Sequence, residues 1–301
     1  MSKASQRGVA LLSAMITVTL VAAISASAFW VRWRSVEVES SDQARNQTTW
    51  LIRGALSWSR LILLEDAKAN ATNPVDHLSE PWAIELNDSN ISGFVSTDKK
   101  QLGGDTEVYL SGRIVDEQGK LNARNLLDGD VVDPRTLAIF AQLFERLGVP
   151  ISELDTMVQN LTTNADRLTP LSERQLNWLG LSEGAKKQLD GFVTWLPVRT
   201  PVNVNTTSRE VLSALLPGLS EQQIDKILID RGRDAWRSTA DFRTQIGPSS
   251  RLLTDKQISV SSFYFRVVGQ IANGSTKQSE EALMKKNVAG VDILWHRHRP
   301  N

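Results

Sequence analysis

The chain has no cysteine among its 301 residues. Disulfides, thiolate metal centres and a cysteine nucleophile are therefore excluded, and the redox compartment stays open. Histidine is scarce: there are only three, His77, His296 and His298. The last two sit beside Arg297 and Arg299 in the C-terminal tail, where a solvated end accounts for them better than a ligand pair. No glycine-rich phosphate loop, no Gly-x-Ser-x-Gly elbow and no histidine pair on a helix occurs, so nothing suggests an enzyme. Net charge is absent too, with 34 basic residues against 34 acidic ones. A neutral chain has no broad electrostatic reason to seek nucleic acid or an anionic surface. The 41% apolar and 23% charged content is that of a globular protein rather than a disordered one, and the length predicts about two domains.

What is present is concentrated first at the N-terminus. Residues 1–8 carry Lys3 and Arg7 as their only charges, and residues 9–31 carry none. At about 1.5 Å per residue that run makes roughly 34 Å of helix, enough to cross a hydrocarbon core. Ser13, Thr17, Thr19, Ser25 and Ser27 interrupt it, but hydroxyls that bond back to their own helix cost little in lipid. Phe29, Trp30 and Trp33 then meet Arg32 and Arg34, an interfacial belt. Three readings fit. Ser25-Ala26-Ser27-Ala28 offers a signal-peptide cleavage site, although the apolar run is long for one. A one-pass anchor explains the run but not the short basic segment before it. A leader ending at Gly8 explains both and leaves everything beyond about residue 32 across the membrane. The flanking charges, Lys3 and Arg7 against Arg32 and Arg34, do not choose between orientations.

Past the membrane the helical signal continues. From Ser40 to Leu64 there is no proline, and Ala44, Leu51, Ala55, Trp58, Ile62 and other apolar residues recur at helical spacing. A transmembrane and spine helix is expected over residues 9–64, with its tryptophans packed in a core. Residues 65–80 read as a loop. Strands are expected at Trp82–Leu86 and Glu107–Leu110, and a hairpin from Arg113 to Asn122 with Gly119 at positive φ in its turn. Helices follow: one capped by Asp133 and Pro134 and closed by Gly148, then others near 151–161, 172–180, 183–195, 207–216 and 220–231. Strand character returns at 256–272 and 287–296, joined by a polar stretch, 273–286. The expected fold class is α+β, with sheet parts at 65–132 and 251–301 and an all-α domain inserted at 133–250.

Four segments resemble the general secretion pathway protein K family. They are Gln6-Arg7-Gly8-Val9-Ala10-Leu11-Leu12, Glu80-Pro81-Trp82-Ala83, Ile114 to Asn122 with Asn125-Leu126, and Trp195-Leu196-Pro197 through Thr200 to Thr206 and on to Glu210-Val211-Leu212. They span nearly the whole chain in the family's order. The resemblance implies a pseudopilin fold, a long N-terminal transmembrane helix plus antiparallel sheet, carrying a large helical insertion. It implies a minor pseudopilin at the tip of the type II secretion pseudopilus, taking part in fibre assembly and in export of folded proteins across the outer membrane. Residues 1–8 would be a prepilin leader, with a prepilin peptidase cutting between Gly8 and Val9 and methylating Val9. The helix would hold the chain in the bacterial inner membrane as a single pass, with the C-terminal domain in the periplasm. Close packing at Ala22, Ala23, Ala26 and Ala28 would join it to minor pseudopilins I and J, and through them to the major pseudopilin G and minor pseudopilin H. Secretin or exoprotein are candidate contacts of the tip.

Most pseudopilins carry Glu at the fifth mature position, where it pairs with the amine of the subunit above. Here that position is Ser13. An intramembrane carboxylate survives by pairing, and a tip subunit has no neighbour above to pair with. Ser13 also reads simply as a tolerated polar residue in an anchor. Calcium is associated with the family, but it needs six to eight oxygens. The family's acidic run is shortened here to Leu154–Asp166, and Asp155 and Asp166 are too few for a site. No metal residues are assigned.

Residues 203–247 also look like the helix-hairpin-helix unit of competence DNA-binding proteins, so the alternative is a membrane-anchored DNA-binding protein. In that unit a Gly-x-Gly hairpin presents backbone N–H groups to phosphate. Here the hairpin reads Pro217-Gly218-Leu219-Ser220, and Arg209, Lys226, Arg231, Arg233, Arg237 and Arg243 are matched by Glu210, Glu221, Asp225, Asp230, Asp234 and Asp241. Phosphate binding gets little from zero net charge, so a protein-contact scaffold is expected and nucleic acid is not.

Overall fold

The structure, a computed structural model, describes residues 3–95, 107–163, 179–273 and 276–299. The chain forms two compact units, Met1–Leu51 and Ile52–Asn301. A single helix, α1 (Lys3–Ala69), begins in the first and ends in the second, running past the expected end at Leu64. In the first unit, Ala10–Glu39 has a mean hydropathy of 2.0 and none of it is buried.

In the second unit the elements follow in order. β1 (Leu86–Asn90), the single turn α2 (Ser92–Val95) and β2 (Val108–Asp116) come first. The short strands β3 (Leu121–Asn122), β4 (Leu127–Asp128) and β5 (Val131–Val132) lead to α3 (Pro134–Leu147) and α4 (Ile151–Thr163). Next come α5 (Glu183–Leu189), β6 (Val193–Thr194), β7 (Val202–Asn203), α6 (Arg209–Leu215), α7 (Glu221–Arg233) and α8 (Thr239–Ile246). β8 (Ile258–Ser259), β9 (Tyr264–Asn273), β10 (Thr276–Asn287) and β11 (Gly290–Arg299) complete the chain. The main sheet is antiparallel throughout, in the order β1-β2-β9-β10-β11. β2 and β9 are neighbours, with Val108 opposite Asn273 and Asp116 opposite Phe265. The helices α3 to α8 therefore form an insertion between two adjacent strands of one sheet. Two-residue parallel pairings tie its chain crossings together, β3 with β6 and β7 with β8.

Each half has its own core. Ile52, Leu56, Leu63 and Ala67 recur along α1 at spacings of four and seven and are all buried, one stripe of an amphipathic helix. Leu56 and Leu63 pack with Trp82, Phe265, Val267, Ala282, Met284 and Val291. The Trp82 and Phe265 rings meet edge to face at 5.1 Å, an arrangement that suits their quadrupoles. The helical core centres on Phe140, Leu143, Phe144, Leu154, Met157 and Leu212. α3 starts and stops as its sequence predicts: the Asp133 carboxylate accepts from the Arg135 and Thr136 amides, and Gly148 closes the helix at φ 67°.

Five local expectations need correction. Pro81–Ala83 is a 3-10 turn, and the first strand begins only at Leu86, because proline at the first position suits a helical turn better than a ladder. Leu121–Asn122 does not fold back on β2 as a hairpin but pairs with β6, and Gly119 has no positive φ. Glycine is needed there for space: a Cβ would stand 2.9 Å from Thr206 Oγ1 and 3.2 Å from the Thr206 carbonyl. The polar stretch 273–286 is mostly strand β10, sandwiched between β9 and β11. The helix expected over 183–195 stops at Leu189 and gives way to β6, while α8 was not foreseen. Most of the helix expected at 172–180 lies outside the described residues.

Candidate functional site

Two features stand out chemically, an unburied apolar stem and a buried polar seam. On the stem, Gly8 and Val9 lie within α1, and nothing more is described of their side chains. The Ser13 hydroxyl donates to the Ala10 carbonyl at 3.0 Å, Thr17 to Ala14 at 2.9 Å and Thr19 to Ile16 at 2.9 Å. The Ser13, Thr17 and Thr19 hydroxyls are thus satisfied within their own helix. Ala22, Ala23 and Ala26 fall on one side of α1 at 100° per residue, while Ala28 is turned well away. Below them Phe29, Trp30 and Trp33 are exposed, and the Arg34 guanidinium lies 5.8 Å from the Trp30 ring centre, an arrangement suited to an interface between lipid and water.

The seam lies in the second unit, where the insertion leaves and rejoins the sheet. Asp116, at the end of β2, accepts from Thr206 Oγ1 at 2.6 Å, Ser262 Oγ at 2.6 Å, Asn203 Nδ2 at 3.0 Å and the Gln118 amide at 2.7 Å. Asn203 also donates to the Asp76 carbonyl at 3.1 Å, and its own oxygen accepts from the Asn205 amide at 3.0 Å. Asn205 in turn brackets the Trp236 backbone, donating to its carbonyl at 2.9 Å and accepting from its amide at 3.0 Å. Asn122 and Asn125 bracket the segment 196–200: Asn125 donates to the Thr200 carbonyl at 2.6 Å and accepts from its amide at 3.1 Å. The residues that form the sequence motifs, Asp116 to Asn125 and Thr200 to Thr206, are thus one interlocked set. The family resemblance picked them out as separate motifs; only the fold brings them together.

Charge is uneven along the seam. The Lys286 ammonium sits between Asp66 and Asp76, while Asp116 and Glu80 lie nearby and make no ion pair with lysine or arginine among the described residues. Burial pushes the Asp76 carboxyl up to about 7 against the pull of Lys286. Burial likewise raises Asp116, despite its four hydrogen bonds, and Glu80. Glu117 is the opposite case: burial works to raise it, but Lys120 at 2.7 Å and Arg266 at 2.9 Å outweigh that and hold it at about 2. A carboxyl raised on folding costs stability as pH climbs from its unfolded value to its folded one. Asp76 therefore weakens the fold between pH 3.8 and about 7. The melting temperature is expected to rise between pH 8 and about 5.5, by on the order of 2 kcal/mol of stability. Below pH 4.5 the Glu117 contribution is lost and the curve turns down. Calorimetry across that range checks this, and Asp76→Asn should remove at least half of the rise; a flat profile would contradict it.

Asp66, Asp76 and Glu80 are the closest group of carboxylates among the described residues. They do not suit calcium, because a lysine already occupies the space between two of them and Glu80 is engaged by the Trp82 indole at 2.7 Å. Asp155 is exposed on α4, and Asp166 lies outside the described residues. The hairpin between α6 and α7 is equally informative. At the start of α7, Ser220 and Gln223 form a reciprocal capping box, and Glu221 pairs with Arg146 and Arg209. The Ser220 and Gln223 amides, which could hold a phosphate, donate instead to the Gln223 side-chain oxygen and the Ser220 hydroxyl.

The comparisons fit this geometry. A family model for the type II secretion system, protein K, matches residues 202–261, the stretch holding Asn203, Asn205, the hairpin and β8. A type II secretion system protein K of Pseudomonas aeruginosa is 26% identical over 309 residues, covering 91% of this chain and 86% of that protein. The fold matches a chain in the crystal structure of a GspK-GspI-GspJ complex from enterotoxigenic Escherichia coli, with a TM-score of 0.65 and 18% identity over 87% of this chain and 99% of that one. An apolar N-terminal helix, an antiparallel sheet and a helical insertion between adjacent strands are the parts of a pseudopilin fold with an enlarged head. Along most of its length the chain is similar in sequence to a type II secretion system protein K, and the family model matches within its helical insertion and β8.

Proposed function

We propose that this protein is the tip subunit of a type II secretion pseudopilus, acting by assembly rather than by catalysis. The observation that carries the reading is the helical insertion between β2 and β9 of a chain that begins with an unburied apolar helix. A prepilin peptidase would cut after Gly8 and methylate Val9. Residues 10–39 would then anchor the chain in the inner membrane, with residues 52–301 in the periplasm. Within lipid, helix contact brings no hydrophobic gain, so helices associate by close van der Waals packing at small residues. Ala22, Ala23 and Ala26 offer such a face to the helices of minor pseudopilins I and J, with pseudopilins G and H below. The solved neighbour was crystallised with its I and J proteins. Ser13, with its hydroxyl turned back to Ala10, asks for no amine from a subunit above, as a tip requires. The helical insertion is the surface left for secretin or exoprotein.

The test is the mass of the N-terminal peptide from cells with and without prepilin peptidase. A peptide beginning at methylated Val9, absent without the peptidase, is expected. An unprocessed Met1 start, or cleavage near Ala28, would sink the reading. As a second check, Ala22→Leu with Ala26→Leu should cut recovery of I and J with the tagged chain by at least tenfold, while leaving processing at Gly8 intact.

A further inference from the structure

The insertion carries a concave site that the assembly reading leaves unused. Between α3 and the α6–α7 hairpin lies a cavity of about 270 Å³, lined mainly by Ala138, Ile139, Leu215, Pro217 and Leu253. Its lining is mostly apolar, unlike the rest of this surface. A wider groove of about 770 Å³ adjoins it, and Arg135 and Gln257 line both. The charges in that groove are not balanced in use. Arg199 is paired with Asp128 at 2.5 Å and Asp133 at 3.2 Å. Asp255 is paired with Arg243 at 2.6 Å and accepts from Thr239. Every carboxylate lining the groove is thus engaged. Among the described residues, Arg135 and Lys256 make no ion pair, although both are exposed on the rim.

We propose that this cavity and groove bind an extended segment of another polypeptide that carries one apolar side chain flanked by carboxylates. The apolar cavity, at about 270 Å³, has room for one large apolar side chain. Two unengaged cations at the rim select for acid beside that side chain, because like charge would be repelled at short range. The Gln142 amide at the cavity edge is suited to backbone groups of an extended chain. Desolvating one apolar anchor inside a polar rim is how small peptide sites gain most of their affinity. The site does not depend on the fibre-assembly reading, and its test can fail separately.

The experiment uses the full chain in lipid nanodiscs and fluorescein-labelled decapeptides read by anisotropy. The probe set has Leu, Phe, Ile or Met at the centre, two Asp on either side, and Gly and Ser elsewhere. Controls replace the Asp residues by Lys or the central residue by Ser. Saturable binding of the acidic apolar peptides is expected, with both controls at least tenfold weaker. Arg135→Glu with Lys256→Glu should weaken the acidic peptides at least tenfold and favour the Lys versions. Ala138→Trp, at an exposed position over the cavity mouth, should abolish binding while leaving the melting temperature unchanged. No binding above empty nanodiscs, binding unaffected by these variants, or binding of dodecanoate in place of peptide would each overturn the proposal.

Discussion

Lys286→Met is expected to destabilise the second unit by about 3–5 kcal/mol at pH 7.5, the cost of leaving buried carboxylates without their partner. The ammonium lies between Asp66 and Asp76 and 4.9 Å from the centre of the Phe265 ring. Its backbone amide separately donates to the Phe263 carbonyl at 2.7 Å, which Met retains. Methionine also fills the volume of the lysine stem, so lost packing is a small part of the effect. What disappears is the cation facing Asp66 and Asp76, with Glu80 and Asp116 close behind. Burial would then push the Asp76 carboxyl further up, and the deficit would grow with pH. At pH 5.5 Asp76 is protonated in the folded state, and most of the loss should vanish. Asp76→Asn in the same chain should restore at least half of the stability at pH 7.5. Urea unfolding at both pH values measures this. An equal deficit at pH 7.5 and 5.5 would mean that the lysine acts through packing alone.

The same lysine shows where the sequence could and could not be read. β10 reads Thr-Lys-Gln-Ser-Glu-Glu-Ala-Leu-Met-Lys-Lys-Asn, and a stretch so polar suggests a connection rather than an inner strand. It is buried because its charges are matched from outside the segment. Arg266 reaches Glu281 from β9 at 3.1 Å and Arg297 from β11 at 3.0 Å, while Asp66 and Asp76 take Lys286. Alternation counts hydrophobicity, and pairing across strands is invisible to it. One signal was there: Asn287 and Gly290 flank the turn, and the Asn287 side chain accepts from the Ala289 and Gly290 amides at 2.9 Å, a local bond typical of Asn at turns. α3 was legible because its determinants, Asp133, Pro134 and Gly148, are adjacent to it. The amphipathic half of α1 was legible as a helix but not as a face: Trp50 and Trp58, expected in a core, are exposed, and the buried stripe is Ile52, Leu56, Leu63 and Ala67. The seam was legible as motif and not as mechanism, since Asp76, Asp116, Asn203 and Ser262 are far apart in sequence and meet only when both cores have formed.

That late meeting makes Asn203 the most sensitive single position of the seam. Asn203→Leu is expected to cost about 3–5 kcal/mol, because buried polar groups left unpaired each carry about 1–3 kcal/mol. The residue is fully buried, and its amide serves the Asp76 carbonyl, the Asp116 carboxylate and Ser262 Oγ at 3.0–3.1 Å. Its oxygen holds the Asn205 amide, so losing it also loosens the turn that fixes Trp236. Leucine matches the side chain in size and cannot serve any of these partners. Asn203→Asp is the informative companion. It keeps the bond to the Asn205 amide but sets a new carboxylate against Asp116, where two neighbouring charges cannot both be tolerated. Its deficit should therefore shrink on acidification from pH 7.5 to 5.5, whereas that of the leucine variant should stay nearly constant. For a unit of this size the leucine change corresponds to a fall of roughly 10 °C in melting temperature. A fall of less than 3 °C, with unchanged near-ultraviolet circular dichroism from Trp236, would show that the seam follows the two cores rather than joining them.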